Sequence, residues 1–302
     1  MTMALTPAPS RTGDTHAHRA LALIAQHRLL TTTQIHRMLT PHTPPRKIHK
    51  VLVPLREDGL IAHTTLGGRS RLQAHFLTPT GHQAVGDWPE LRGRAATPIH
   101  SPDTANLRAA HILTGVRAHL AFLDDARARG DDYEPLDWVP EVTHHLPDTA
   151  GEDRLIADAV FHYTAAQPRL QYRAFVEIDR TTMSSERLAR KLIAYARFHD
   201  YTPQPAGRRG TIGEQAAMLA WQRSYPRFPR VLFILTGAAR TTLTNRITDL
   251  RRMTAAHPLV TRLATHVPLG AAILEDIEAQ GPQAAVWTPL AGDAGPRSWT
   301  KL

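Results

Sequence analysis

Cysteine is absent from the 302 residues, which excludes disulfides, thiolate zinc sites and cysteine nucleophiles. No apolar run approaches the eighteen or so residues that a membrane span requires. There is no Gly-x-x-x-x-Gly-Lys loop to cradle nucleotide phosphates, so neither a nucleotide cofactor nor a membrane partner is expected. Lysine is scarce, and the basic charge is carried almost entirely by arginine. The N-terminus lacks the apolar core of a signal peptide, and residues 1–15 read as a Pro/Ser/Thr-rich disordered tail. A cytoplasmic location is therefore expected.

What is present points to a polyanion. The net charge is +9 and the isoelectric point is near 10.4, both of which favour a nucleic-acid partner. The 42% hydrophobic and 21% charged residues are ordinary for a globular protein. The length suits two domains, each with its own core. Residues 1–90 alone carry ten Arg/Lys against five Asp/Glu.

The expected first domain covers residues 16–88. An amphipathic helix runs from about His16 to Gln26, and a second follows over Thr33–Leu39 with Thr32 as its N-cap. A third begins at Thr43-Pro44-Pro45 and places Ile48, Val51, Leu52 and Leu55 on one face. Its opposite side offers Arg46, Lys47, His49 and Lys50, and Pro54 should kink its last turn. Gly59 ends it. Leu60–Leu66 and Leu72–Leu77 then read as strands flanking a basic tip that contains Arg69 and Arg71. Three helices followed by such a hairpin describe a winged helix-turn-helix, with Arg46, Lys47, His49, Lys50, Arg69 and Arg71 as candidate DNA contacts. A helical bundle with a solvated basic face is the plainer alternative.

Residues 89–103 read as a linker, and Asp103 as the cap of a long helix over Thr104–Arg129 with Leu107, Leu113, Val116, Leu120 and Leu123 as its stripe. The second domain, expected over 104–290 with a tail at 291–302, follows a βββαβα-like order. Its strands are the Trp138 segment, Leu155–Phe161, the run ending at Glu177-Ile178-Asp179, and Val231–Thr236. Helices are expected from about Ser184 and over Ala239–Met253, with one more strand over Val260–Val267. Residues 202–229 read as an insertion with a helix around Glu214–Gln222.

The acids carry the chemistry. Asp158 and Glu177 stand on successive strands, with Asp179 and Arg180 at the second strand's end. Convergent carboxylates hold a hard cation such as Mg²⁺, for which Mn²⁺ substitutes, and such a site drives phosphodiester cleavage. Lys191, on the next helix and four residues before Tyr195, is placed to reach them. The same residues also describe a polar strand end with an internal ion pair. The set resembles a PD-(D/E)xK nuclease core: Asp158 matches the first acid and Glu177 the second, as metal ligands. Ala157 stands in the place of the proline and Asp179 in the place of the lysine, so the resemblance leaves the lysine's role to Lys191 or Arg180.

The order of motifs is similar to that of the replication-relaxation family of actinobacterial plasmids and mobile elements. The matching residues are Thr33-Gln-Ile-His36, Asp58-Gly59-Leu60, Leu77-Thr78-Pro79-Thr80-Gly81 and His111-Ile-Leu113. They continue through Glu177-Ile-Asp-Arg-Thr181, Lys191-Leu-Ile-Ala-Tyr195, Val231–Gly237 and Gly281–Trp287. The resemblance implies a double-stranded DNA partner, replication or transfer proteins, and a role in replication, maintenance or transfer of such an element. Two outcomes stay open for the second domain. It is a metal-dependent nuclease, or a degenerate nuclease-like domain that serves a non-catalytic initiator accessory or regulator and makes a homodimer.

Other chemistries fit poorly. His16-Ala17-His18 has the spacing of a relaxase metal pair but lies on no strand. His144 and His145 are adjacent, so a strand would point them to opposite faces. Gly207-Arg208-Arg209-Gly210 reads as a solvated basic loop. The expected architecture is α+β: a winged helix followed by a restriction-nuclease-like α/β domain.

Overall fold

The structure, a computed structural model, describes residues 12–67, 72–92, 98–99, 101–146, 154–182, 184–203 and 218–302. The architecture is α+β, and the chain divides into two units, Met1–Val116 and Arg117–Leu302. No helix among the described residues is long and apolar enough to cross a membrane.

Unit 1 contains α1 (Thr12–His27), β1 (Leu30–Thr31), α2 (Thr32–Leu39), α3 (Arg46–Glu57), β2 (Ile61–Thr65), β3 (Gln73–Leu77), α4 (Pro79–Val85) and the first half of α5 (Pro102–Arg129). Its antiparallel sheet has the order β1-β3-β2. The N-cap of α2 is Thr31, one residue before the expected Thr32. The Thr31 hydroxyl accepts from Gln34 N, and the Gln34 side chain accepts from Thr31 N at 3.0 Å, a reciprocal box. Thr32 is diverted to β3, where its hydroxyl lies 2.9 Å from His75 Nε2. Burial, with His63 beside it, pushes His75 down to about 4, so the ring packs as a neutral group.

α3 starts at Arg46, later than its threonine suggested, because the Thr43 hydroxyl donates to Thr40 O instead of capping. Ile48, Leu52 and Leu55 are buried as the periodicity requires, and the helix runs through Pro54 to Glu57. It ends in a Schellman arrangement: Leu60 N bonds Leu55 O, Gly59 N bonds Arg56 O, and Gly59 takes φ +70°. Thr78 ties this end to α4. Its hydroxyl donates to Gly59 O at 2.6 Å and accepts from Gly81 N at 3.0 Å, while Thr78 N donates to Leu60 O. A Cβ on Gly81 would lie 2.0 Å from Leu60 O, so this crossing admits only glycine.

α5 is capped by Ser101, whose hydroxyl accepts from Thr104 N, and not by Asp103. In this unit its buried stripe passes through Ala105, Ala109, Ile112 and Val116, at helical spacing, and leaves Leu107 85% exposed. Of the expected stripe, Val116, Leu120 and Leu123 are buried as read, while Leu107 faces solvent and alanines take the buried positions of the first turns.

Unit 2 holds the rest of α5, then β4 (Trp138–His145), β5 (Arg154–Ala165), β6 (Leu170–Asp179), α6 (Ser185–Asp200), β7 (Arg230–Leu235), α7 (Arg240–Ala256), α8 (Pro258–Ala264), β8 (Leu269–Ile273), α9 (Leu274–Gln280) and β9 (Thr288–Pro289). The sheet order is β4-β5-β6-β7-β8-β9, with β6-β7 and β7-β8 parallel and the other pairs antiparallel. The strand expected at Val260–Val267 is the helix α8, opened by Pro258, with Val260 and Leu263 inward at i and i+3. The true strand is β8, just beyond it. Of the helix expected at Glu214–Gln222, the described part is a short 3-10 turn at Ala220–Arg223.

The sheet is covered on both faces. Leu188, Leu192, Tyr195, Leu243, Ile247, Leu250, Val260 and Leu263, from α6, α7 and α8, pack one side against Phe175 and Phe233. An aromatic cluster fills the other. Trp138 stacks on Phe161 at 5.8 Å, and Phe122 of α5 and Trp299 join them. Trp299 is fully buried, and the Arg230 guanidinium donates to Trp299 O and Thr300 O, so the chain beyond residue 290 packs onto the sheet. His144 is buried beside Phe198 while His145 is exposed, as strand alternation requires.

The close approach at Gly81 predicts that Gly81→Ala destabilises the protein by about 1–3 kcal/mol. Gly115→Ala, in α5 with nothing within 4 Å of a new Cβ, stabilises it by roughly 0.5–1 kcal/mol. Urea unfolding of the two variants checks the contrast, and equal effects contradict it.

Candidate functional site

Strand β6 ends with an unusual burden. Glu177 and Asp179 are both fully buried, two residues apart and therefore on the same face, which α6 and α7 cover. A buried carboxylate needs a partner cation or donors, and each has its own.

Glu177 belongs to α6. Tyr195 OH donates to Glu177 Oε1 at 2.6 Å, and Lys191 Nζ donates to the same oxygen at 3.2 Å. Lys191 Nζ also lies 2.9 Å from Oε2, an ion contact without hydrogen-bond alignment, and donates to Ile156 O on β5 at 2.5 Å. Asp158, half-buried on β5, accepts from Ile178 N at 2.7 Å through Oδ2 and so sits beside Glu177 across the ladder. Burial, and then the nearby Asp158 charge, push the Glu177 carboxyl up to about 8, while Lys191 and Tyr195 hold it down. The Tyr195 hydroxyl is raised well above its ordinary value by burial and by the same carboxyl.

Asp179 belongs to α7. Arg246 grips its Oδ2 with two nitrogens, Nη2 at 2.6 Å and Nε at 2.9 Å. Asp179 Oδ1 accepts from Thr181 N at 2.9 Å, which holds Thr181 at φ +61°. The Thr181 hydroxyl donates to Thr236 O at 2.7 Å, and Thr236 N donates to Asp179 O. Gly237, at φ +86°, lets Arg180 O approach to where a Cβ would stand at 2.8 Å. Two sequence motifs, Glu177–Thr181 and Val231–Gly237, thus form one locked corner.

Of the residues singled out in the sequence, Asp158, Glu177 and Lys191 come together. Asp179 is engaged by Arg246, and no ion pair joins Arg180 to the cluster among the described residues. Tyr195 joins the site although only its spacing from Lys191 marked it. Arg246 carried no local signal, being 67 residues from Asp179 in sequence. No group of three or more His, Asp and Glu able to hold a metal occurs among the described residues.

On α3 the expected and observed faces agree. Arg46, Lys47, His49 and Lys50 are exposed on the side opposite Ile48, Leu52 and Leu55. The turn before this helix is fixed by His36, whose Nε2 lies 2.7 Å from Thr43 O. Arg69 and Arg71, and the loop Gly207–Gly210, lie outside the described residues. His16 and His18 sit on α1, where His18 pairs with Glu90 and stacks on Trp88.

A family model described as replication-relaxation matches residues 21–214. No curated protein and no solved structure matches the chain.

The raised Glu177 carboxyl makes stability depend on pH with a definite sign. The folded protein keeps a proton that the unfolded carboxyl releases above about 4.5. This contribution is full below that pH and is lost as pH rises through about 8. The stability difference between wild type and Glu177→Gln should therefore shift against wild type as pH rises, by at most about 1.4 kcal/mol per unit. Urea unfolding at several pH values reads it, and a difference independent of pH contradicts the assignment.

Proposed function

Because the chain belongs to the replication-relaxation family, we propose that it is a double-stranded DNA-binding protein acting in replication, maintenance or transfer of a plasmid or related mobile element. The observation that carries this reading is the amphipathic split of α3. One side is anchored in the core by Ile48, Leu52 and Leu55, and the other presents Arg46, Lys47, His49 and Lys50 to solvent. The order of helices α1 to α3 followed by the β2–β3 hairpin supports reading unit 1 as a winged helix. In this reading α3 is the recognition helix and the β2–β3 hairpin is the wing. Lysine and arginine there set the register on the phosphates, and the N-terminal half of α3 faces base edges.

A second reading for unit 2 is supported by one observation: Lys191 reaches Glu177 beside Asp158. Acid, acid and lysine are the residue types of a PD-(D/E)xK centre, here with the lysine delivered from α6. The donor set fits Mg²⁺, which takes one or two carboxylates together with water and phosphate oxygens. Glu177 Oε2 is a buried carboxylate oxygen without a hydrogen-bond donor, and Asp158 is half-exposed. Asp158 and Glu177 would hold the ion, which when bound polarises a phosphodiester and lowers the pKa of water. Tyr195 orients Glu177, Lys191 places a positive charge where a phosphate's negative charge builds, and Asp179 stays with Arg246.

Neutralising Arg46, Lys47 and Lys50 should weaken binding to duplex DNA. The log–log salt slope should flatten by roughly 0.9 for each phosphate that the variant no longer neutralises. Unchanged affinity in fluorescence anisotropy removes the winged-helix assignment. For unit 2, supercoiled DNA incubated with Mg²⁺ or Mn²⁺ should be nicked by wild type and spared by Asp158→Ala and Glu177→Ala. Equal or absent nicking by all three removes the nuclease reading and leaves DNA binding standing.

A further inference from the structure

Helix α6 carries a second feature, independent of the buried cluster. Leu188, Leu192, Tyr195 and Ala196 are its buried side. At 100° per residue the opposite side passes through Glu186, Arg190 and Arg197, with Arg187 and Ala194 at its margin. All three arginines are exposed, and Ala194 adds only a methyl group between them. Among the described residues none of the three forms an ion pair. Some surface arginines elsewhere in unit 2 do, Arg117 with Glu278, Arg240 with Asp276, Arg252 with Asp249 and Arg297 with Asp293, while the exposed Arg154, Arg223 and Arg227 also have no ion pair among the described residues. What sets the α6 arginines apart is that three of them share one helix, with Glu186 the acid beside them and no ion pair to it among the described residues.

We propose that Arg187, Arg190 and Arg197 form a second DNA contact, a sequence-independent clamp on the duplex phosphate backbone carried by unit 2 alone. The ten helical steps from Arg187 to Arg197 span roughly 15 Å of helix axis. That length faces about four phosphates of one strand at about 3.4 Å of axial rise each. Guanidinium is the suited group, because its fork pairs two phosphate oxygens at once. The stripe also adjoins the cluster, since Arg187 precedes Lys191 by one turn and acts on it electrostatically. A strand held on the stripe runs past the helix edge from which Lys191 enters the sheet. The proposal rests on the DNA-binding reading only for the identity of the polyanion.

The test uses the full chain and a random-sequence 30-base-pair duplex, with binding read by anisotropy over a salt series. Replacing Arg187, Arg190 and Arg197 together by Gln should lower the log–log slope by roughly 2–3. The same triple replaced by Lys should keep most of the slope, which separates charge from folding. Arg252→Gln, a paired arginine on α7, should leave the slope unchanged. Made on top of the Arg46/Lys47/Lys50 variant, the α6 triple should lower the slope again. If the α3 variant has no effect and the α6 triple does, the unit 1 reading fails while the clamp stands. A slope unchanged by the α6 Gln triple overturns the clamp, as does weakened binding to single-stranded RNA with duplex binding intact.

Discussion

The structure of unit 2 depends on how β6 buries two carboxylates at its end. Neither Glu177 nor Asp179 reaches water, and a buried carboxyl left without donors or a counter-charge is costly. Each is met by a cation from a different helix, Lys191 of α6 and Arg246 of α7. The strand end thereby specifies where both helices pack. The two pairs are not alike. Arg246 grips one Asp179 oxygen with two nitrogens within a corner already closed by Thr181, Thr236 and Gly237, which suits a permanent structural link. Glu177 is shared among an ammonium, a phenol and the field of Asp158, and its proton is held only moderately, which suits a centre that can change state.

This division explains a departure in the sequence. Under the proposed nuclease reading of unit 2, a lysine would follow the second acid by two positions, and Asp179 stands there. The aspartate places a further acid on the buried face, where Arg246 answers it, and Lys191 of α6 pairs with Glu177. The positive charge beside Glu177 is kept while the strand end gains an anchor. On the opposite side of α6 the arginines face solvent, so one helix joins the buried cluster to a surface suited to phosphate.

Much of this is legible in the sequence where one element contains the whole signal. The periodicity of Ile48, Leu52 and Leu55 fixes the buried side of α3, and the apolar run ending at Glu177-Ile178-Asp179 fixes β6. Asp158 and Glu177 come together because successive antiparallel strands make neighbours of them, and Lys191 because its helix returns over the strand. The failures share a cause: competition that no local pattern reports. Thr31 caps α2 because Thr32 is claimed by His75, far along the chain on β3. Val260–Val267 is apolar enough for a strand, yet Pro258 starts a helix and leaves the ladder position beside β7 to Leu269–Ile273. Leu107 has the character of core, but the alanines of α5 carry the buried phase. Arg246 is invisible because charge pairing between β6 and α7 leaves no spacing to find.

The central claim is that Glu177 is a buried carboxyl held between Lys191, Tyr195 and Asp158. Carbon-detected NMR titration of the Glu177 side chain in the full chain tests it most directly. The account predicts a midpoint pushed up to about 8, and a higher one in Lys191→Met, because the ammonium now holds it down. A midpoint near the ordinary 4.5, unmoved by Lys191→Met, would contradict it.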